Sequence, residues 1–308
     1  MGKVGYKKTR SALKNKFSIL KQIGLSLGIC LLCLTLVSGV STLFAPNEDV
    51  VVTDKPTQDV VVNDNVLEGQ YISFLGDSIT TLEGISDCAT YNTTLTSNQS
   101  RYYANDIAFT STEATLELDS WKDTYWGKTV TELNLELCVN NSWRGTSVST
   151  ARGADSCTSG IRATQLHNDN ENITPDIIVI YIGTNDKSAS APVLGYESID
   201  DLYDGTRYTA DCSYFDVAYA TMVLKVKNRY PNAKIYLCNL IYNDDLGNLY
   251  NEAIAKIATE FNCNLVDFSS LVSAWDWSDH TMDGLHPNEA GFDMMAECLI
   301  DAIKNNSN

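Results

Sequence analysis

Five short apolar runs, at residues 71–75, 135–139, 176–182, 234–240 and 264–268, are separated by longer segments with helical spacing. Each run is shorter than a core helix and rich in Ile, Val, Leu, Phe or Tyr, the pattern of a strand buried on both faces. The intervening spacing predicts helices over 122–133, 160–167, 214–230 and 249–261. A last helix is predicted over 288–304, where Ala290, Met294, Met295, Cys298, Leu299, Ala302 and Ile303 make one apolar stripe. Strands that alternate with helices need crossover connections, and these build a parallel sheet covered on both faces. Ligands then bind beyond the carboxyl ends of the strands. Two long inserts, 84–120 and 187–213, interrupt the alternation and are expected to flank that rim, as functional covers or as disordered loops.

The amino terminus reads differently. Residues 1–21 carry seven basic and no acidic side chains, and residues 22–45 carry no charge at all. The second stretch is long enough to cross a bilayer, and the basic flank predicts a cytoplasmic amino end with the remainder exported. A cleaved signal segment, with Gly39 and Ser41 before the cut, is the competing reading. Residues 46–66 form an acidic linker in which an Asp-Val-Val-Val unit at 49–52 recurs at 59–62. The expected architecture is thus a three-layer, flavodoxin-like α/β sandwich with a central parallel sheet of about five strands over 67–308, preceded by a single transmembrane helix.

Past residue 21, 15 basic residues face 39 acidic ones, a net charge of −24, so nucleic acid is not an expected partner. Seven of the nine cysteines lie outside the apolar stretch, without metal-type spacing. Cys138, Cys238, Cys263 and Cys298 fall in or beside predicted elements, where a thiol packs as a small apolar group. Cys88, Cys157 and Cys212 fall in loop-like sequence, and a bridge among them stays open after export.

Four polar segments punctuate the strand ends. Gly76-Asp77-Ser78 follows the first strand, Asn140 to Gly145 the second and Gly183-Thr184-Asn185-Asp186 the third, while Asp283 to His286 precedes the last helix. A serine hydroxyl becomes a nucleophile when a histidine takes its proton and a carboxylate orients that histidine. Ser78, His286 and Asp283 supply these types. Taken singly, Gly-Asp-Ser is a common turn, Gly145 a residue permitting positive φ, Asn185 a helix cap and His286 a loop residue. Their joint order at successive strand ends outweighs those readings. With three histidines in the chain, the alternatives for the base are His280, near Asp276 and Asp279, and His167, a surface or capping residue. Asp279, His280, Asp283 and His286 also form a metal-capable set, but without typical zinc spacing, and neither metal nor cofactor is expected.

These segments resemble the four blocks of the SGNH/GDSL hydrolase family, in order, across residues 70–304. The resemblance implies Ser78 as nucleophile and Asp283 and His286 as the other triad members. It implies an oxyanion hole from the Ser78 amide, Gly145 and Asn185, and esterase chemistry with an open choice of acyl acceptor.

All five tryptophans lie near these blocks or inserts. Trp121 and Trp126 also read as packing for the helix predicted at 122–133, whereas Trp143 and Trp277 neighbour motif residues and are the expected substrate contacts. Tyr91, Tyr102, Tyr103 and Tyr203 add polar-tipped walls in the inserts. An acidic surface favours a neutral acylated glycan over an anionic polymer. The expected function is extracytoplasmic removal of short acyl groups, acetyl first, from a carbohydrate. A cell-wall glycan O-acyltransferase using the same site and a non-catalytic surface binding protein are the alternatives, and oligomeric state is left open.

Overall fold

The computed structural model describes residues 67–81, 118, 120–152, 162–193, 195, 202–204, 208 and 210–307. The basic segment, the uncharged stretch and nearly all of the first insert, with Tyr91, Tyr102 and Tyr103, lie outside these residues. Among the described residues no helix is long and apolar enough to cross a membrane.

The elements run β1 (Tyr71–Gly76), α1 (Tyr125–Glu132), β2 (Glu136–Asn140), β3 (Ile177–Tyr181), α2 (Thr184–Ser188), α3 (Phe215–Arg229), β4 (Lys234–Cys238), α4 (Asp245–Glu260), β5 (Asn264–Val266), α5 (Trp277–His280) and α6 (Glu289–Asn305). The sheet has five strands in the order β2-β1-β3-β4-β5, every neighbouring pair parallel. Strand β3, Ile-Ile-Val-Ile-Tyr, is buried along its whole length, while the edge strands β2 and β5 expose residues. An unbroken apolar run therefore marks the middle of the sheet, where both faces are covered.

Two helix pairs supply the covers. On the face that presents Phe74 and Tyr181, α1 meets them through Trp126, 5.6 Å from Phe74, and Tyr125, 6.2 Å from Tyr181. Tyr125 also stacks on Phe292 of α6 at 6.1 Å. The second pair, α3 and α4, is joined by the stacked rings of Phe215 and Tyr250 at 3.9 Å. Helix ends are capped by short polar side chains: Thr124 accepts from the Gly127 amide, Asp244 from Gly247 and Asn288 from Gly291. Trp121 and Trp126 stack on each other at 5.4 Å, buried, as packing residues.

The helix expected over 160–167 is replaced, among described residues, by a single 3-10 turn at Arg162–Thr164. There Tyr230 takes over the backbone: its hydroxyl accepts from the Leu166 amide at 2.7 Å and donates to Thr164 O at 2.8 Å, so further helical turns are not needed to satisfy these groups. His167 belongs to the same cluster, with Nδ1 2.7 Å from Tyr230 Oη and Nε2 2.9 Å from Asp169 Oδ1. Cys212 carries a free thiol, and Cys88 and Cys157 lie outside the described residues.

In this strand order the connections leaving β1 and β3 turn to opposite sides, which opens a crevice beyond their carboxyl ends. Ser78 follows β1 and Asn185 follows β3.

Candidate active site

Ser78 sits on a turn that its neighbours close. Asp77 Oδ1 accepts from the Ile79 amide at 3.1 Å and Asp77 O from the Thr80 amide at 3.1 Å, so the acidic residue ties the chain on either side of the serine. Gly76 is required by space: a Cβ there would lie 2.5 Å from Thr80 Oγ1 and 2.7 Å from Tyr181 O. The Asp77 carboxyl is buried, with Oδ2 unpartnered among the described residues. Burial pushes its pKa up to about 7 against the pull of the Ile79 amide, and the nearby Asp186 charge adds to the rise.

Ser78 Oγ lies 2.8 Å from His286 Nε2, and His286 Nδ1 lies 2.8 Å from Asp283 Oδ2. The other Asp283 oxygen accepts the His286 amide at 2.8 Å and the Leu285 amide at 3.0 Å, so one carboxylate fixes both the loop and the ring. A proton on Nδ1 directed at Asp283 leaves Nε2 as the acceptor facing the serine. Ser78 and His286 are 7% and 6% exposed, which keeps the pair largely out of bulk water. The arrangement can move a proton from Ser78 Oγ to His286.

Three groups expected as oxyanion donors lie on the loops that follow β1, β2 and β3. Neither the Ser78 nor the Gly145 main-chain N–H donates a hydrogen bond within the described residues. Gly145 has φ +72°, the left-handed region that favours glycine, in the loop that follows β2. Asn185, near the start of α2, donates one Nδ2 hydrogen to Thr146 O at 3.0 Å and retains a second.

The donor loops are held by two buried charged residues. Arg162, 2% exposed, donates to Gly76 O (2.5 Å), Asn141 O (2.9 Å) and Thr146 Oγ1 (2.8 Å), joining the end of β1 to the loop after β2. Asp186 accepts from the Val148 and Ser149 amides at 2.8 Å each and from Ser149 Oγ at 2.5 Å, joining that loop to α2. Burial raises the Asp186 pKa, while these hydrogen bonds pull it down.

Residues 70–303 match the GDSL-like lipase/acylhydrolase family. The chain belongs to it. This is a family of ester-bond hydrolases, and the match covers all four polar blocks. A multidomain esterase of Ruminococcus flavefaciens is 28% identical over 143 residues, 42% of this chain but 16% of that much longer protein. A GDSL-like lipase from Bacteroides ovatus shares 26% identity, with 78% of this chain and 100% of that one covered and a TM-score of 0.56. A GDSL-like lipase from Bacteroides uniformis, at 24% identity and TM-score 0.56 over 77% of this chain and 96% of that one, has the same fold.

Within this GDSL-like domain the other expected residues take up distinct positions. Trp143 is engaged in structure: its Nε1 donates to Asn141 Oδ1 at 2.8 Å and its ring lies 5.1 Å from the Arg162 guanidinium carbon. Trp277 stacks on Tyr242 at 5.6 Å and meets the edge of Trp275 at 5.9 Å. His280 is held apart from the serine, with Nδ1 3.0 Å from the Asp276 amide and carbonyl and its ring stacked on Trp275. Tyr203 pairs with Tyr208, and Lys225 of α3 covers the Tyr208 ring. No cluster of three metal-ligating side chains occurs among the described residues.

Arg162 and Asp186 brace these loops without being among the expected site residues. Asp186 stood inside a recognised block, but Arg162 had no signal beyond an arginine between two apolar residues.

Proposed function

We propose that this chain is a serine esterase that removes short acyl groups, acetyl first, from a carbohydrate outside the cell. The observation that carries the proposal is the unbroken Ser78–His286–Asp283 relay at 2.8 Å per step. Ser78 Oγ attacks the ester carbonyl as its proton passes to His286 Nε2, and the carbonyl oxygen becomes an oxyanion. The Ser78 and Gly145 amides and Asn185 Nδ2 stabilise that charge as it develops. His286 returns the proton to the leaving alcohol as the C–O bond breaks, which leaves an acyl ester on Ser78. Water, deprotonated by His286, then attacks this ester, and the carboxylic acid departs as Ser78 recovers its proton.

The carbohydrate is supported by the aromatic side chains of the rim and by the acidic balance of the chain. The location is supported by the uncharged stretch at 22–45 and its basic flank. Ser78→Ala is expected to abolish hydrolysis of a short-chain aryl acetate, a loss of about 10⁴-fold or more in kcat, with the melting temperature unchanged. Retained turnover in that variant overturns the nucleophile. Acetate release that slows while acyl-sugar product accumulates on addition of glycan acceptor points to acyl transfer instead of hydrolysis.

A further inference from the structure

Beyond β4 the rim carries a tyrosine that neither the relay nor the oxyanion donors use. The Tyr242 amide donates to Leu240 O at 2.8 Å, and its carbonyl accepts from Asn251 Nδ2 at 3.2 Å, so the backbone is fixed. Its ring is fixed as well. Trp277 stacks on it at 24° and 5.6 Å, and Lys187 Nζ lies 4.1 Å from its centroid, tied in turn to Asp244 Oδ2 at 2.7 Å. Lys187 comes from α2, the helix of Asn185, and Trp277 from α5. Helix α5 is joined to the loop of the base, because Asn288 N donates to His280 O at 3.0 Å and Thr281 bridges Pro287. Tyr242 is therefore wedged between the element that bears an oxyanion donor and the element that leads to His286.

The Tyr242 hydroxyl has no hydrogen-bond partner among the described residues, and the residue is half-buried. Burial, then the Asp77 and Asp244 charges, push its pKa up to about 12, so it remains a protonated donor at neutral pH. His286 must reach the leaving oxygen, which puts the alcohol of the ester on the His286 side of the tetrahedral carbon, away from the oxyanion donors. Trp277 belongs to α5, which the Asn288–His280 and Thr281–Pro287 contacts join to the His286 loop, and the Tyr242 hydroxyl is close enough to feel the charge of Asp77, the neighbour of Ser78. Asp244 neutralises Lys187, so this shelf offers ring faces and uncharged donors and no counter-charge for a carboxylate.

We propose that Tyr242, clamped by Trp277 and Lys187, is a specificity-determining residue that hydrogen-bonds a hydroxyl of an uncharged sugar on the leaving-group side of the ester. The inference rests on the carbohydrate-ester reading above. A site built to bond a substrate hydroxyl discriminates against esters that lack one, because its own polar group is otherwise left unpaired.

The test compares kcat/KM of the full chain on mono-O-acetylated neutral disaccharides with kcat/KM on p-nitrophenyl acetate. Tyr242→Phe removes one oxygen that has no hydrogen-bond partner among the described residues. It is expected to lower the sugar-to-aryl ratio about 5- to 10-fold at unchanged melting temperature. Trp277→Ala, which frees the ring, is expected to lower the ratio at least as far. A ratio unchanged in Tyr242→Phe, or equal losses on both esters, overturns the inference. Wild-type chain that cleaves the aryl ester but none of the sugar esters overturns it while leaving the serine esterase intact. Wild-type chain inert on both overturns the esterase reading as well.

Discussion

On the side of the rim built by β1, β2 and β3, buried charge holds the loops. Arg162 joins Gly76 O, Asn141 O and Thr146 Oγ1, and Asp186 joins Val148 and Ser149. On the β4 side, rings do the holding, with Trp277 and the Lys187 ammonium packed on Tyr242. Directional bonds between buried charged and polar groups fix a loop to within tenths of an ångström, which donors aimed at a developing oxyanion require. Stacking fixes a ring plane and leaves its polar edge free, which suits contact with a hydroxylated ligand. Under the roles proposed above, the two sides divide the work into stabilising charge and choosing substrate.

Arg162→Met is the substitution most damaging to the braced side. It takes the guanidinium donor from Asn141 O, Gly76 O and Thr146 Oγ1, leaving Asn141 O without its donor and Gly76 O with the Trp143 amide alone, and is expected to cost about 3–5 kcal/mol of stability by urea unfolding. A cost no larger than that of a surface substitution would mean the guanidinium is not the brace. Asn185→Ala spares the fold and removes one donor, so kcat for an aryl acetate is expected to fall about 100- to 1000-fold with KM little changed. A pure KM effect would move Asn185 from charge stabilisation to substrate binding. The smallest effect belongs to the stacked side, where Tyr242→Phe changes substrate preference about 5- to 10-fold and leaves stability alone. If Tyr242→Phe unfolds the domain or Arg162→Met only shifts preference, the division of roles is reversed.

Most of this was legible because strands and motif blocks are local. Residues 176–182 read as a strand and Ile177–Tyr181 is one; residues 288–304 read as a helix and Glu289–Asn305 is one. The predicted start of α4 was late, since Asp244 and Asp245 look like loop until Asp244 is seen to cap Gly247. The short helices α2 and α5 carry too few residues for a period to show. Asp283 and His286 stood out because they are three positions apart, and the distant Ser78 followed from its block. Arg162 and Tyr242 act through partners far along the chain, Gly76 and Trp277 among them, and no spacing within their own segments signals that. The side chains that hold the loops, and the tyrosine proposed to choose the substrate, were thus the part hidden in the sequence.

Reaction of the full chain with a fluorophosphonate, followed by peptide mass spectrometry, reads out the nucleophile directly. One adduct is expected, on the peptide that bears Ser78, and it should be lost in His286→Ala. An adduct on another serine, or undiminished labelling of His286→Ala, contradicts a Ser78 nucleophile activated by His286.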